Sequence, residues 1–146
     1  MFYSNNVQDT RQFFFNSWQK YQLKKPLSAL EQQIVEVILI HPEYHSILRT
    51  HNPSNNVKNF FSEQGEANPF LHMGLHLAVR EQLTINRPAG IADIYQQLLL
   101  KYVDTMHVEH LLMEQLSECL WQAQNNQTVP DEQIYFAACK NLLSSN

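Results

Sequence analysis

Asp104 to Gln124, DTMHVEHLLMEQLSECLWQAQ, is the stretch whose reading decides the fold. At about 100° per residue, Leu112, Leu116, Cys119, Leu120 and Ala123 fall on one side of a helix. His107, His110, Glu114, Glu118 and Trp121 fall on the opposite side. A surface helix with one apolar stripe has no need of an ordered second face. This one carries imidazoles and carboxylates at the i, i+3 and i+4 steps where side chains meet.

Working outward, the chain reads as helices throughout. Asp9 or Thr10 caps a first helix to about Lys24, with Phe14, Trp18 and Tyr21 on one aromatic side, which fills a core in preference to a ligand pocket. Pro26 ends it. Ser28-x-x-Glu31 is a capping box before a second helix to about Ile40, whose buried face is Val35, Ile38 and Leu39, with Ile34 beside them. Pro42 in HPEYH, His41 to His45, predicts a break at His41 and a short helical piece to about Arg49. His51 to Ala67, with Asn52-Pro53-Ser54, Gly65, Phe60 and Phe61, reads as a long loop in which His51 is a surface residue.

Asn68-Pro69 starts a third helix to about Ile85. Leu71, Leu75, Ala78, Val79 and Gln82 share one of its sides, and His72 and His76 border them. Asn86-Arg87-Pro88 stops it. A fourth helix runs from about Ala89 to Tyr102, carrying Ile91, Ile94, Tyr95, Leu98 and Leu99. Asp104 caps the long fifth helix, and Asp131 caps a last one bearing Ile134, Tyr135, Ala138 and Leu142. With no hairpin signal and no repeat, the expectation is an all-α, single-domain bundle of five to six helices over residues 1–146.

Composition narrows the partners. Of the 146 residues, 44% are hydrophobic, enough for a core, and only 16% are charged. Net charge is −4 with ten Lys and Arg, so a nucleic-acid surface is not expected. The opening MFYSNNVQDT lacks the features of a targeting segment, and the run Ile34 to Ile40 is too short to cross a bilayer. No membrane partner is expected, and Cys119 and Cys139 are expected to be reduced thiols.

The strings HPEYH, NPFLHMGLH with Arg80-Glu81-Gln82, Arg87-Pro88-Ala89-Gly90-Ile91, and HVEHLLMEQLSECLWQAQ resemble a small bacterial family, catalogued as domain of unknown function 1841. The resemblance covers nearly the whole chain. It implies a compact helical bacterial protein, expected in the cytoplasm, and carries no activity with it.

Chemistry enters through the histidines. Six of the seven fall in pairs three or four apart: His41/His45, His72/His76 and His107/His110. Random placement would give roughly 0.7 such pairs at the helical neighbour steps. Imidazole is the commonest metal ligand, and two on adjacent turns can face one ion. A carboxylate one turn further, as in His110-x-x-x-Glu114, suits iron, manganese or zinc. The candidate ligands are His72, His76, His107, His110 and Glu114, then His41 and His45, with Glu118 and Glu81 further out. Such a centre, held between the third and fifth helices, would serve oxygen, redox or hydrolytic chemistry. The spacings loosely resemble those of hemerythrin-like bundles, in a different chain order. Two other readings stand beside it: a structural His/Glu network fixing helix pairing, and a solvated face. The alternative function is a non-enzymatic interaction module docking a protein or a second copy, with Trp121 as anchor. Phosphate-loop, nucleophile-elbow and Cys-His nucleophile signatures are absent.

Overall fold

The computed structural model describes residues 7–49 and 68–144, with side chains from residue 11 onward. Among these, all regular structure is helical: α1 (Val7–Gln22), α2 (Ala29–Leu39), a 3-10 turn (Pro42–Tyr44), α3 (His45–Leu48), α4 (Pro69–Ile85), α5 (Ile91–Tyr102), α6 (Thr105–Asn125) and α7 (Glu132–Asn141). Seven α-helices replace the five to six expected. The seventh is α3, a single turn that follows directly on the 3-10 turn at Pro42 and corresponds to the short helical piece expected to about Arg49. The loop expected over 51–67, with His51, Phe60 and Phe61, lies outside the described residues.

Most boundaries follow from local chemistry. Ser28 and Glu31 close the capping box: Glu31 N–H donates to Ser28 Oγ at 3.1 Å, and Ser28 N–H donates to Glu31 Oε1 at 2.8 Å. Lys20 Nζ donates to the other Glu31 oxygen at 2.7 Å. The Lys20 bond, then the Ser28 backbone bond, hold the Glu31 carboxyl below its ordinary range. Asn68 caps α4, accepting from Phe70 N–H at 2.9 Å. Asp104 and Asp131 cap α6 and α7, accepting from His107 N–H at 3.3 Å and Gln133 N–H at 2.8 Å. α1 begins at Val7, ahead of the expected caps Asp9 and Thr10.

Helix ends are closed without glycine, of which the chain has three. Lys24, Asn86, Val103 and Gln127 take the left-handed conformation instead, at φ between 55° and 70°. After Lys24, Asn86 and Gln127 the next N–H reaches five residues back: Lys25 to Lys20, Arg87 to Gln82, and Thr128 to Ala123. Asn86 does a second job, since its Oδ1 accepts from Gly90 and Ala92 N–H at 3.2 and 3.0 Å, at the start of α5.

The chain divides into two compact units, residues 1–77 and 78–146, the boundary falling within α4. In the first, α1 packs on α2 and α3. Its core joins Phe14, Phe15 and Trp18 of α1 to Ile34, Val35, Val37 and Ile38 of α2, and to Phe70, Met73 and Leu77 of α4. Phe70 packs against both Phe14 and Phe15, with ring centroids 6.1 and 5.6 Å apart. The aromatic side of α1 is therefore core, and Tyr21 is its exposed edge, stacked on Trp18. Leu39, expected inside, is exposed. Val37 is buried in its place, beside Ile34, Val35 and Ile38.

In the second unit α5, α6 and α7 pack on one another. Ile91, Ile94 and Leu98 of α5 are buried, with Val108, Leu112, Met113, Leu116 and Ala123 of α6, and Tyr135 and Cys139 of α7. Both cysteines are free thiols. No helix among the described residues is long and apolar enough to cross a membrane.

Candidate metal centre

The site begins with a proline. The residue before Pro42 is pushed out of the α region by the ring, and His41 sits at φ −124°, ψ 64°. That turn takes its N–H to Ile38 O, at 3.0 Å. Val37 O, one of the terminal carbonyls a helix cannot satisfy internally, is met by the side chain: His41 Nδ1 donates to it at 2.7 Å. Four residues on, His45 Nε2 donates to Ile38 O at 2.8 Å. The two histidines of HPEYH are thus consecutive caps on the end of α2.

The two caps leave different nitrogens available. A carbonyl only accepts, so in a neutral ring His41 carries its proton on Nδ1 and a lone pair on Nε2. His41 Nε2 faces α4, where His72 and His76 stand one turn apart. It lies 3.1 Å from His72 Nε2 and 3.4 Å from His76 Nδ1. Both α4 rings meet the His41 ring edge-on, at 83° and 82°, which is what brings nitrogens rather than faces together. The ligand atoms of His41, His72 and His76 all lie within 4.8 Å of one another. His41 and His76 are 1% and 0% exposed, while His72 is half-buried and forms the open edge. Tyr44 stacks on His41 at 5.6 Å and stands edge-on to His72 at 5.9 Å. Burial, then the Glu43 charge, raise its phenol above the ordinary value.

Of the other candidates, His45, His107 and Glu114 are placed differently. His45 is turned to its cap and lies 4.8 Å from the Trp18 ring. His107 is exposed in the first turn of α6, edge-on to Tyr102 at 5.2 Å. Glu114 is exposed, and His110 is half-buried on the same helix. No convergent group of potential ligands among the described residues includes His45, His107 or Glu114. The reading of the sequence therefore ranked His41 too low. Its signal was the adjacent Pro42, which ties the ring to a helix end rather than leaving it on a face.

A second polar cluster, in the other unit, was not foreseen. Glu109 is 7% exposed and accepts from Arg80 Nε at 3.1 Å and from Tyr95 OH at 3.3 Å. Burial, then the Glu109 charge and hydrogen bond, push the Tyr95 phenol above its ordinary value. The clue was position: Glu109, Met113 and Leu116 share the i, i+4, i+7 stripe of a buried face.

A family model described as a domain of unknown function, DUF1841, matches residues 6–141. The chain belongs to this family. Every described helix, from Val7 to Asn141, lies within the DUF1841 match. No curated protein and no solved structure matches the chain.

Proposed function

We propose that this DUF1841 protein binds a transition-metal ion through His41, His72 and His76. The observation that carries the reading is the convergence of three imidazole nitrogens, two of the separations being 3.1 and 3.4 Å. Ligands on a tetrahedral ion with bonds of about 2.0–2.1 Å stand roughly 3.3–3.4 Å apart. Orientation of His41 by Val37 O is the arrangement that metal-bound histidines ordinarily show, the far ring N–H held by a carbonyl. A bound ion supplies Lewis acidity or redox chemistry; the chain's part is to hold three neutral donors facing one point. We take the whole chain as one helical domain of a cytoplasmic bacterial protein.

Elemental analysis of the full chain, purified without an affinity tag, tests the reading. One equivalent of metal is expected, and its loss in His41→Ala and His76→Ala. The same measurement on His107→Ala, His110→Ala and Glu114→Ala tests the long-helix candidates that the sequence puts forward. Protein that takes up no stoichiometric metal overturns the proposal.

A second reading, an interaction module, is favoured by Trp121, which is 60% exposed on α6. Sedimentation of wild type and Trp121→Ala over a concentration series tests whether this face pairs with a second copy; a monomer throughout counts against it.

A further inference from the structure

Resting on the metal-binding reading, we infer that the centre selects late first-row ions, zinc(II) and copper(II) above all, and discriminates against manganese(II), magnesium and calcium. The reading of the sequence admitted iron and manganese through a carboxylate ligand. Among the described residues, the convergent group that contains His41, His72 and His76 holds no Asp, Glu or Cys. Three consequences follow from that donor set.

The first concerns donor type. Manganese, magnesium and calcium draw their affinity from carboxylate, carbonyl and water oxygens, whereas imidazole suits zinc, copper and nickel. Non-haem iron(II) sites commonly add a carboxylate to two histidines, and this group offers none.

The second concerns size. Calcium takes six to eight oxygen donors at about 2.3–2.6 Å, a larger shell than a few imidazoles supply. The separations of 3.1 and 3.4 Å around His41 Nε2 lie near the roughly 3.3–3.4 Å donor spacing of a small four-coordinate shell.

The third concerns rigidity. His41 is fixed by Val37 O, and His72 and His76 share one helix. The His41 and His76 rings are buried. A set held this way opens poorly for a larger ion.

The experiment is a competition titration on full-length, untagged protein stripped with a chelator. Zinc(II), cobalt(II), manganese(II) and magnesium are each titrated against a chromophoric chelator. Zinc is expected to bind at one equivalent, and manganese at least about 100-fold more weakly. Cobalt(II) gives a geometric readout: intense visible absorption for a four-coordinate site, faint absorption for a six-coordinate one. His72→Asp, at the half-buried edge, is expected to narrow the zinc-to-manganese gap by supplying an oxygen donor, and circular dichroism checks that it folds. Manganese or magnesium within tenfold of zinc, or a faint cobalt spectrum, overturns the selectivity while leaving the metal reading intact. No binding by any of the four ions overturns the metal reading itself.

Discussion

His41 Nδ1 lies 2.7 Å from the carbonyl oxygen of Val37, one turn back on α2, and that bond determines which ring nitrogen faces His72 and His76. His45 makes a similar bond to Ile38 O but turns its ring to Trp18. The two positions should therefore separate on mutation. His45→Ala loses a capping hydrogen bond and aromatic packing, about 1–2 kcal/mol, and keeps its metal. His41→Ala loses both stability and metal. Denaturant midpoints and metal content, measured on the same preparations, check the split.

Metal addition should stabilise the fold. The His41 and His72 positions are 31 residues apart in the chain, so the rings meet only when the chain is folded and the ion binds that state alone. At a free zinc concentration 100 times the dissociation constant the gain is about 2.7 kcal/mol. A thermal scan with zinc, then with excess chelator, should show a reversible rise in Tm that His76→Ala lacks.

Alkaline pH should unfold the second unit through Cys139. Burial pushes this thiol up to about 12 from an ordinary value of 9.0. Between those values the unfolded chain releases the proton and the folded chain keeps it, so the unfolded state binds fewer protons and stability falls as pH rises. The slope approaches about 1.4 kcal/mol per pH unit. Tyr95, also raised, adds to the loss above its ordinary value of 10.0. Urea midpoints from pH 8 to 11 should drop steeply in wild type and less in Cys139→Ala. Below pH 9 a thiol reagent should modify Cys119 quickly and Cys139 only on unfolding.

Glu109 should matter more for stability than any exposed acid on α6. Glu109→Ala leaves the partly buried Arg80 guanidinium and the Tyr95 hydroxyl without their acceptor. A loss of roughly 2–3 kcal/mol is expected, discounted for the 32% exposure of the Arg80 side chain. Glu114→Ala and Glu118→Ala, on the solvated side of the same helix, should shift the midpoint little.

Val103 should be improvable. A β-branched residue at φ 70° is strained, and its side chain is 80% exposed, so it contributes little packing in return. Its N–H still donates to Leu99 O at 2.8 Å and ends α5. Val103→Gly is expected to raise stability by about 0.5–1 kcal/mol; an unchanged or lower denaturation midpoint would contradict the strain.

The helices were legible because their punctuation is local. Ser28-x-x-Glu31, Asn68-Pro69, Asp104 and Asp131 each act through bonds to neighbours two or three residues away, so the sequence alone places them. The family, too, was readable from the HPEYH and NPFLHMGLH strings. What pattern could not supply was a partner distant along the chain. His107 and Glu114 looked like members of a ligand row because spacing on a helix reports a shared face, not what meets that face. His41 meets His72 only in three dimensions, and Glu109 meets Arg80 the same way. The aromatic row Phe14, Trp18 and Tyr21 was correctly taken as packing, yet where burial stops along it depends on Phe70 of another helix.

Placing a ligand on the closing turn of α2 makes helix length a gauge for the centre. One residue inserted between Ser28 and Val37 advances that turn by about 1.5 Å and swings it by about 100°, enough to carry the His41 ring away from α4 altogether. The count of residues between that capping serine and Pro42 therefore sets where the ring stands, as no surface substitution on α2 would.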